Sequence, residues 1–187
     1  MKKLLLPLLL LVGFYFVGCG SSKPNLQNTD VGDMPEWFLT PPVDPNYLFA
    51  VKTETSTDLQ MSIDKAVQAG RADISRQVEV KISGLEKQFK EEVGVGADAN
   101  LLTQFSQASK SVTNQTLSGS KVKEKKILKD GSNFRAYVLM VYPIGAANQA
   151  LMEALKKNKE MYTRFQSSKT FEELDKEVEK YEKSQPK

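Results

Sequence analysis

The chain contains one cysteine, Cys19, and no histidine among its 187 residues. An exported protein with a single thiol gains no internal disulfide from it. Zinc sites, Ser-His-Asp triads and Cys-His dyads are excluded as well, because each needs histidine or several cysteines. The sequence therefore predicts a fold with no disulfide, no metal site, no cofactor and no catalytic residue.

An almost wholly apolar run precedes this cysteine. Lys2 and Lys3 form a short positive segment, and Leu4–Val17 follows with no charged residue. The run has the length of the apolar part of a signal peptide and is short for a membrane-spanning helix, which needs about 20 apolar residues. Residues 1–18 are therefore predicted to be a secretion signal. An uncleaved signal anchor, or an ordinary signal peptide with an incidental cysteine, is the alternative.

The residues before Cys19 resemble a bacterial lipobox, in which a large apolar residue and two smaller ones precede the cysteine. Val17 and Gly18 fit this pattern, whereas Phe16 stands where leucine is commoner. Resemblance to bacterial lipoproteins implies that the Cys19 thiol receives diacylglycerol and that the chain is cut before Cys19. The new amine is then a further acylation site.

The charge balance bears on the choice of partner. The whole chain has 26 Lys and Arg against 23 Asp and Glu. Cleavage would remove Lys2 and Lys3, which leaves 24 against 23, a formal charge of +1. Because nucleic-acid-binding domains usually carry a clear positive excess, no nucleic-acid partner is predicted. The expected partners are the membrane, through acyl chains on Cys19, and other envelope proteins or the cell wall.

Composition divides the rest of the chain into three parts. Residues 19–33 are rich in Gly, Ser, Asn and Asp and are predicted to be a flexible tether. Residues 34–158 carry strand and helix patterns and are predicted to be the folded domain. Residues 159–187 are predicted to form a helical C-terminal extension. The predicted fold class is α+β, with a small, mostly antiparallel sheet packed against two or three helices.

The first half of the folded domain is predicted from hydrophobic periodicity. Tyr47–Val51 has the pattern of a buried strand, and a capping box that begins at Thr57 predicts a helix over residues 58–77. Val78, Val80 and Ile82 alternate with polar residues, which is typical of a strand. A second helix is expected from the apolar spacing between residues 101 and 117.

An Asp-Gly pair predicts a hairpin in the second half. It lies between Lys121–Leu128 and Phe134–Tyr142, and the later segment is apolar on both faces, so we expect it in the middle of the sheet. Residues 144–158 are predicted to be a helix on the sheet. The extension could pack on the core or form a partner surface, and core packing is the favoured alternative.

Two short motifs admit a chemical interpretation. The first strand of the hairpin carries a cluster of lysines, which fits either contact with anionic lipid or cell-wall polymer or, the favoured alternative, an edge strand that resists pairing with other chains. These are Lys121, Lys123, Lys125, Lys126 and Lys129. Residues 94–99 spell a dinucleotide fingerprint, but no buried strand precedes them, so a flexible loop is favoured.

The order of these elements resembles the LPP20 family of bacterial lipoproteins. The family's signature is a Pro-Asp/Glu-Trp near the mature N-terminus and an Ala-rich helix, matched here by Pro35-Glu36-Trp37 and by Ala69-Gly70-Arg71-Ala72. The resemblance covers residues 34 to about 158. It implies a small α/β sandwich at the cell envelope, usually the outer membrane, with no established catalytic activity. Gly20 and Ser21 after the cysteine, in place of aspartate, also imply the outer membrane.

These observations favour a lipid-anchored bacterial envelope protein with a non-catalytic interaction or structural role. One alternative is a periplasmic module that binds lipid or a small molecule between helix and sheet. A more remote one is a hydrolase that acts on cell-wall material with carboxylates alone.

Overall fold

A three-stranded antiparallel sheet and six helices make up the part of the chain that the structure describes, residues 33–94 and 99–184. This computed structural model divides the chain into two units, and the described residues all belong to the second, Gly32–Lys187. In chain order the elements are α1 Glu36–Leu39, β1 Tyr47–Ser56, α2 Leu59–Val93, α3 Ala99–Gly119, β2 Lys121–Asp130, β3 Asn133–Pro143, α4 Ile144–Lys156, α5 Lys159–Gln166 and α6 Lys169–Ser184.

The sheet confirms the predicted α+β class and the hairpin. Its strand order is β1-β3-β2, so β3 lies in the centre and pairs antiparallel with both neighbours. The turn between β2 and β3 includes Gly131, whose φ of 58° is accessible to glycine without strain. Residues 136–140 of β3 are all buried. The apolar pattern on both faces of this segment therefore predicted its central place.

Helix α2 covers one face of the sheet, here called the inner face. Ala66, Ile74 and Val78 of α2 are fully buried, as are Val138 and Met140 of β3. A small residue lets the two elements approach closely, because a Cβ on Gly70 would overlap Cγ of Met140. The space between α2 and the sheet is therefore filled by side chains.

The predicted strand at residues 78–82 is wrong, because these residues continue α2. Ile74, Val78 and Ile82 are buried at helical steps of four, whereas Val80 is 72% exposed. Over so short a β-branched run, alternation and helical spacing coincide at two of three positions. The helix also begins one residue later than predicted, since Asp58, not Thr57, is its N-cap and accepts a 2.7 Å hydrogen bond from the Met61 N–H.

Helix α4 packs in a helical layer and not on the sheet, which corrects the prediction for residues 144–158. Its contacts are mainly with α3 and α6, and those with β3 are few. The physical reason is that α2 already covers the inner face, so the apolar side of α4 finds other helices. Leu151 and Leu155 of α4 are fully buried there.

The C-terminal extension packs within the chain, as the favoured alternative predicted. Phe165 of α5 is fully buried, and its ring centroid lies 5.3 Å from that of Phe89 in α2 and 5.8 Å from that of Phe105 in α3. Leu174 of α6 is 1% exposed. Helices α5 and α6 therefore share one core with α2 and α3.

Candidate functional site

Cys19, the residue predicted to carry lipid, lies outside the described residues. The same holds for the predicted signal, residues 1–18, and for the tether as far as residue 32. The described residues start at Asp33. They include the folded unit that the predicted anchor would attach to the membrane, and the surface at which the chain enters that unit.

The chain joins the folded unit on the face of the sheet opposite α2, here called the outer face. Pro35 is buried, and the ring of Phe38 in α1 meets the ring of Tyr137 edge-on at 4.9 Å. Tyr137 alternates with the inner-face residues Val138 and Ala136, so its side chain points away from α2. Helix α1 thus covers the part of the outer face around Tyr137.

The end of the outer face beyond α1 presents a different surface, which we call the aromatic–lysine face and define by Tyr47, Phe49, Lys121 and Lys123. The ring centroids of Tyr47 and Phe49 lie 6.3 Å apart, and Lys123 Nζ lies 5.2 Å above the Phe49 ring. Lys121 and Phe49 flank Val141 of β3 on opposite sides in the same row of the sheet. Tyr47, Lys121 and Lys123 are exposed and Phe49 is half-buried.

The basic strand β2 lies at an edge of the described sheet, as predicted, whereas its resistance to pairing with other chains stays a prediction. A register shift between Val122 and Glu124 places Lys123 in a bulge, so Lys123 and Glu124 both project on the outer face. Lys125 and Lys129 project on the inner side, opposite Val138 and Phe134. Lys126 lies opposite Tyr137 and projects on the outer face, so the five lysines predicted as one cluster are divided between the two faces.

Asp73 joins α2 to β1 through ion pairs. Its carboxylate lies 2.6 Å from Lys52 Nζ and 3.1 Å from Arg76 Nη2. Partial burial acts to raise the pKa of Asp73, but the hydrogen bonds and positive charges of Lys52 and Arg76 outweigh it, so that pKa lies below its ordinary value. The arrangement suits a charged structural link and offers no proton at neutral pH.

A polar groove of about 240 Å³ lies between α6, the start of α4 and the start of β1. Gly145 brings α4 against Tyr181 of α6, since a Cβ there would overlap the Tyr181 side chain. Asn148 Nδ2 donates a 2.5 Å hydrogen bond to Glu177 Oε2 on its wall. Lys81 also lines the groove. Some of the polar groups that line the groove are therefore hydrogen-bonded to one another.

Tyr142, at the end of β3, is buried near this groove. Burial is the main cause that raises the pKa of Tyr142, and the nearby Tyr181 raises it further, whereas a hydrogen bond with the Thr116 side chain acts in the opposite direction. The phenol therefore stays protonated at neutral pH.

Sequence reasoning missed Glu92, whose hydrogen-bond partners lie 77 and 78 residues further along the chain. Its carboxylate accepts hydrogen bonds from the N–H of Lys169 at 2.6 Å and of Thr170 at 3.0 Å, the first residues of α6. Partial burial acts to raise the pKa of Glu92, but the Thr170 hydroxyl, these two N–H groups and the charge of Lys169 outweigh it and hold that pKa below its ordinary value. No pattern in the sequence connects residues so far apart.

The Gly94 motif ends a helix. Gly94, with a φ of 81°, is the C-cap of α2, and its N–H donates to the Lys90 carbonyl. Residues 95–98 lie outside the described residues. Because a helix, not a buried parallel strand, precedes the motif, it lacks the setting in which such a loop binds a dinucleotide.

Within residues 33–94 and 99–184, no group of three or more His, Cys, Asp or Glu side chains is placed to hold a metal ion. No described helix is both long enough and apolar enough to cross a membrane.

Comparison of the chain with protein-family models, with curated proteins and with solved structures finds no match. The resemblance to the LPP20 family therefore stays a prediction.

Proposed function

We propose that this chain is a lipid-anchored bacterial cell-envelope protein with a non-catalytic interaction or structural role, similar to LPP20 lipoproteins. The single observation that carries the proposal is the position of the only cysteine. Cys19 follows Val17 and Gly18 directly, at the end of an apolar run that begins after Lys2 and Lys3. A signal peptide that ends in this way is the substrate of lipoprotein processing.

The physical effect of acylation supports stable attachment. Each buried methylene contributes about 0.8 kcal/mol, and two acyl chains give the stable anchoring that one chain does not. Gly20 and Ser21 follow the cysteine, and sorting to the outer membrane is proposed because no aspartate stands there. The folded unit is then the part of the protein that meets other envelope components.

The two alternative functions have less support. A carrier would need room for an apolar ligand between helix and sheet, but Gly70 and Met140 are in close approach there. A hydrolase would need paired carboxylates across a cleft. Asp73, Glu92 and Glu177 instead have Lys, Arg, Thr, Asn or backbone N–H groups as their partners.

Mass spectrometry of the mature N-terminus, combined with membrane fractionation in a bacterial host, tests the proposal. We expect the wild-type chain to begin at an acylated Cys19 and to fractionate with the outer membrane, and Cys19→Ala to lose the acyl mass and the processing. An unacylated wild-type chain, with Cys19→Ala in the same membrane fraction, would end the lipoprotein interpretation.

A second pair of variants tests the sorting. Gly20→Asp should move the acylated protein to the inner membrane, and the control Gly20→Ser should leave it in the outer membrane. If Gly20→Asp remains in the outer-membrane fraction like the control, the proposed sorting is wrong, but the proposed lipid anchor is not affected. Hydrolysis of peptidoglycan or ester substrates by the purified chain would contradict the non-catalytic role.

A further inference from the structure

We infer that the aromatic–lysine face lies against the bilayer and binds anionic phospholipid headgroups, so that it orients the folded unit on the membrane. The inference deepens the proposed function and rests on it for the identity of the membrane. The occupant to which we commit is a lipid surface that contains anionic headgroups.

The composition of this face fits a membrane interface. Tyr47 is 43% exposed, and its amphipathic ring is of the kind enriched at headgroup depth. Lys123 lies over the half-buried Phe49, with its ammonium group above an apolar ring. Aromatic rings with lysine side chains beside them offer both apolar contact and positive charge to an anionic phospholipid.

The charge on this face is complementary to anionic lipid. Lys121 and Lys123 carry positive charges that no described ion pair neutralises. Of the acidic residues of β2, Glu124 projects on the outer face in the row next to that of Lys121, so one acidic side chain lies beside the two lysines, and Asp130 is bound by Arg135 at 2.7 Å. Each lysine near an anionic surface contributes about 1 kcal/mol of attraction.

The path of the chain brings this face within reach of the membrane. The chain joins the folded unit on the outer face, where Phe38 packs on Tyr137. The segment from Cys19 to Asp33 can span at most about 50 Å, by covalent geometry alone. A lipid on Cys19 would therefore hold the folded unit within about 50 Å of the bilayer, where weak headgroup contacts act at high effective concentration.

The rigid turn before β1 adds an apolar contact close in sequence. Asp44 holds this turn, accepting hydrogen bonds from the N–H of Asn46 at 2.7 Å and of Tyr47 at 3.2 Å. Val43, the residue before it, is 97% exposed. This exposed valine lies four residues before Tyr47 in the sequence, so it would add an apolar side chain to the contact with lipid.

Vesicle sedimentation tests the inference without the anchor. The probe is the chain from residue 19 with Cys19→Ala, and the targets are vesicles of phosphatidylethanolamine with phosphatidylglycerol, compared with phosphatidylcholine alone. We expect binding to the anionic vesicles that weakens with added salt, and none to the neutral ones. No binding to either, or equal binding to both, would overturn the inference.

Paired lysine variants separate this face from total charge. Lys121→Gln with Lys123→Gln should weaken binding about 25-fold, at about fivefold for each lysine. The control, Lys125→Gln with Lys129→Gln, removes the same charge from the inner side of the same strand and should weaken binding less than about fivefold. All four lysines are exposed, so both variants should keep the wild-type melting temperature. Equal losses would contradict the inference.

Orientation can also be measured in the acylated protein. A fluorophore attached after Lys121→Cys should be quenched by lipid-borne quenchers more strongly than one attached after Lys125→Cys, and equal quenching would refute the orientation. Failure of this inference and failure of the proposed lipid anchor are distinguishable, because the vesicle experiment uses an unacylated chain. An acylated Cys19 with no vesicle binding would leave the proposed function intact and end this inference alone.

Discussion

The carboxylate of Glu92 accepts a 2.5 Å hydrogen bond from the hydroxyl of Thr170, and it also accepts the backbone N–H of the same residue at 3.0 Å. Glu92 lies in the last turn of α2, and Thr170 lies in the first turn of α6. The first N–H groups of a helix have no partner within the helix, and a negative charge there is favourable. One side chain therefore caps α6 and fixes it to α2.

Loss of this cap should destabilise the protein. Glu92→Ala leaves two N–H groups and a hydroxyl without their acceptor, and we expect the free energy of unfolding to fall by about 1–2 kcal/mol. The measurement is the midpoint of urea unfolding. The control is Glu91→Ala, the same substitution one residue earlier, where the side chain is 69% exposed and its only described ion pair is a 4.0 Å contact with Lys87. Equal losses in the two variants would show that the cap contributes nothing.

Acid should weaken the same contact. The pKa of Glu92 is lower in the folded protein than its ordinary value of 4.5, so its contribution to stability is fully present above pH 4.5 and is lost as the pH falls through the folded value. We expect the urea midpoint of Glu92→Ala to fall less steeply below pH 4.5 than that of the wild type. Glu91→Ala should keep the wild-type slope, and parallel curves for all three proteins would contradict the assignment.

Local patterns predicted the elements whose signal is complete within a few residues. The Asp130-Gly131 turn and the two-sided apolar pattern of β3 were sufficient for the hairpin and for the central strand. The strand predicted at residues 78–82 failed because the decisive contacts are distant. Phe89 continues the buried side of α2 only because Phe105 and Phe165 pack against it, and period alone cannot show that.

The predicted functional residues divide in the same way. The lysines of β2 were recognised as a cluster, but only the bulge at Lys123 and the pairing with β3 assign them to two faces. No sequence pattern indicated a functional role for Phe49, because its partner Lys123 comes from another strand. The lipidation of Cys19 is predicted from the sequence alone, since lipid attachment depends on processing enzymes that recognise the unfolded signal.

The close contact of α4 and α6 predicts opposite effects at two glycines. Gly145→Ala should destabilise by about 1–3 kcal/mol, because its Cβ overlaps Cβ and Cγ of Tyr181, which cannot move without shifting α6. Gly84→Ala, on an open face of α2 with nothing within 4 Å of the added carbon, should stabilise by about 0.5–1 kcal/mol. Thermal unfolding followed by circular dichroism measures both. An unchanged or raised melting temperature for Gly145→Ala would contradict the packing of α4 on α6, and a lowered one for Gly84→Ala would contradict the open space on α2.

A matched pair of leucines tests whether the extension belongs to the core. Leu174 of α6 is 1% exposed and Leu117 of α3 is 39% exposed, so the same truncation removes a buried side chain in one case and a half-exposed one in the other. We expect Leu174→Ala to lower the free energy of unfolding by about 2–5 kcal/mol, and Leu117→Ala to lower it by less than about 1 kcal/mol. Urea unfolding with one transition in each case is the measurement. If α6 were a surface for a partner, Leu174→Ala would leave the midpoint of the isolated chain unchanged, and an unchanged midpoint would refute the shared core.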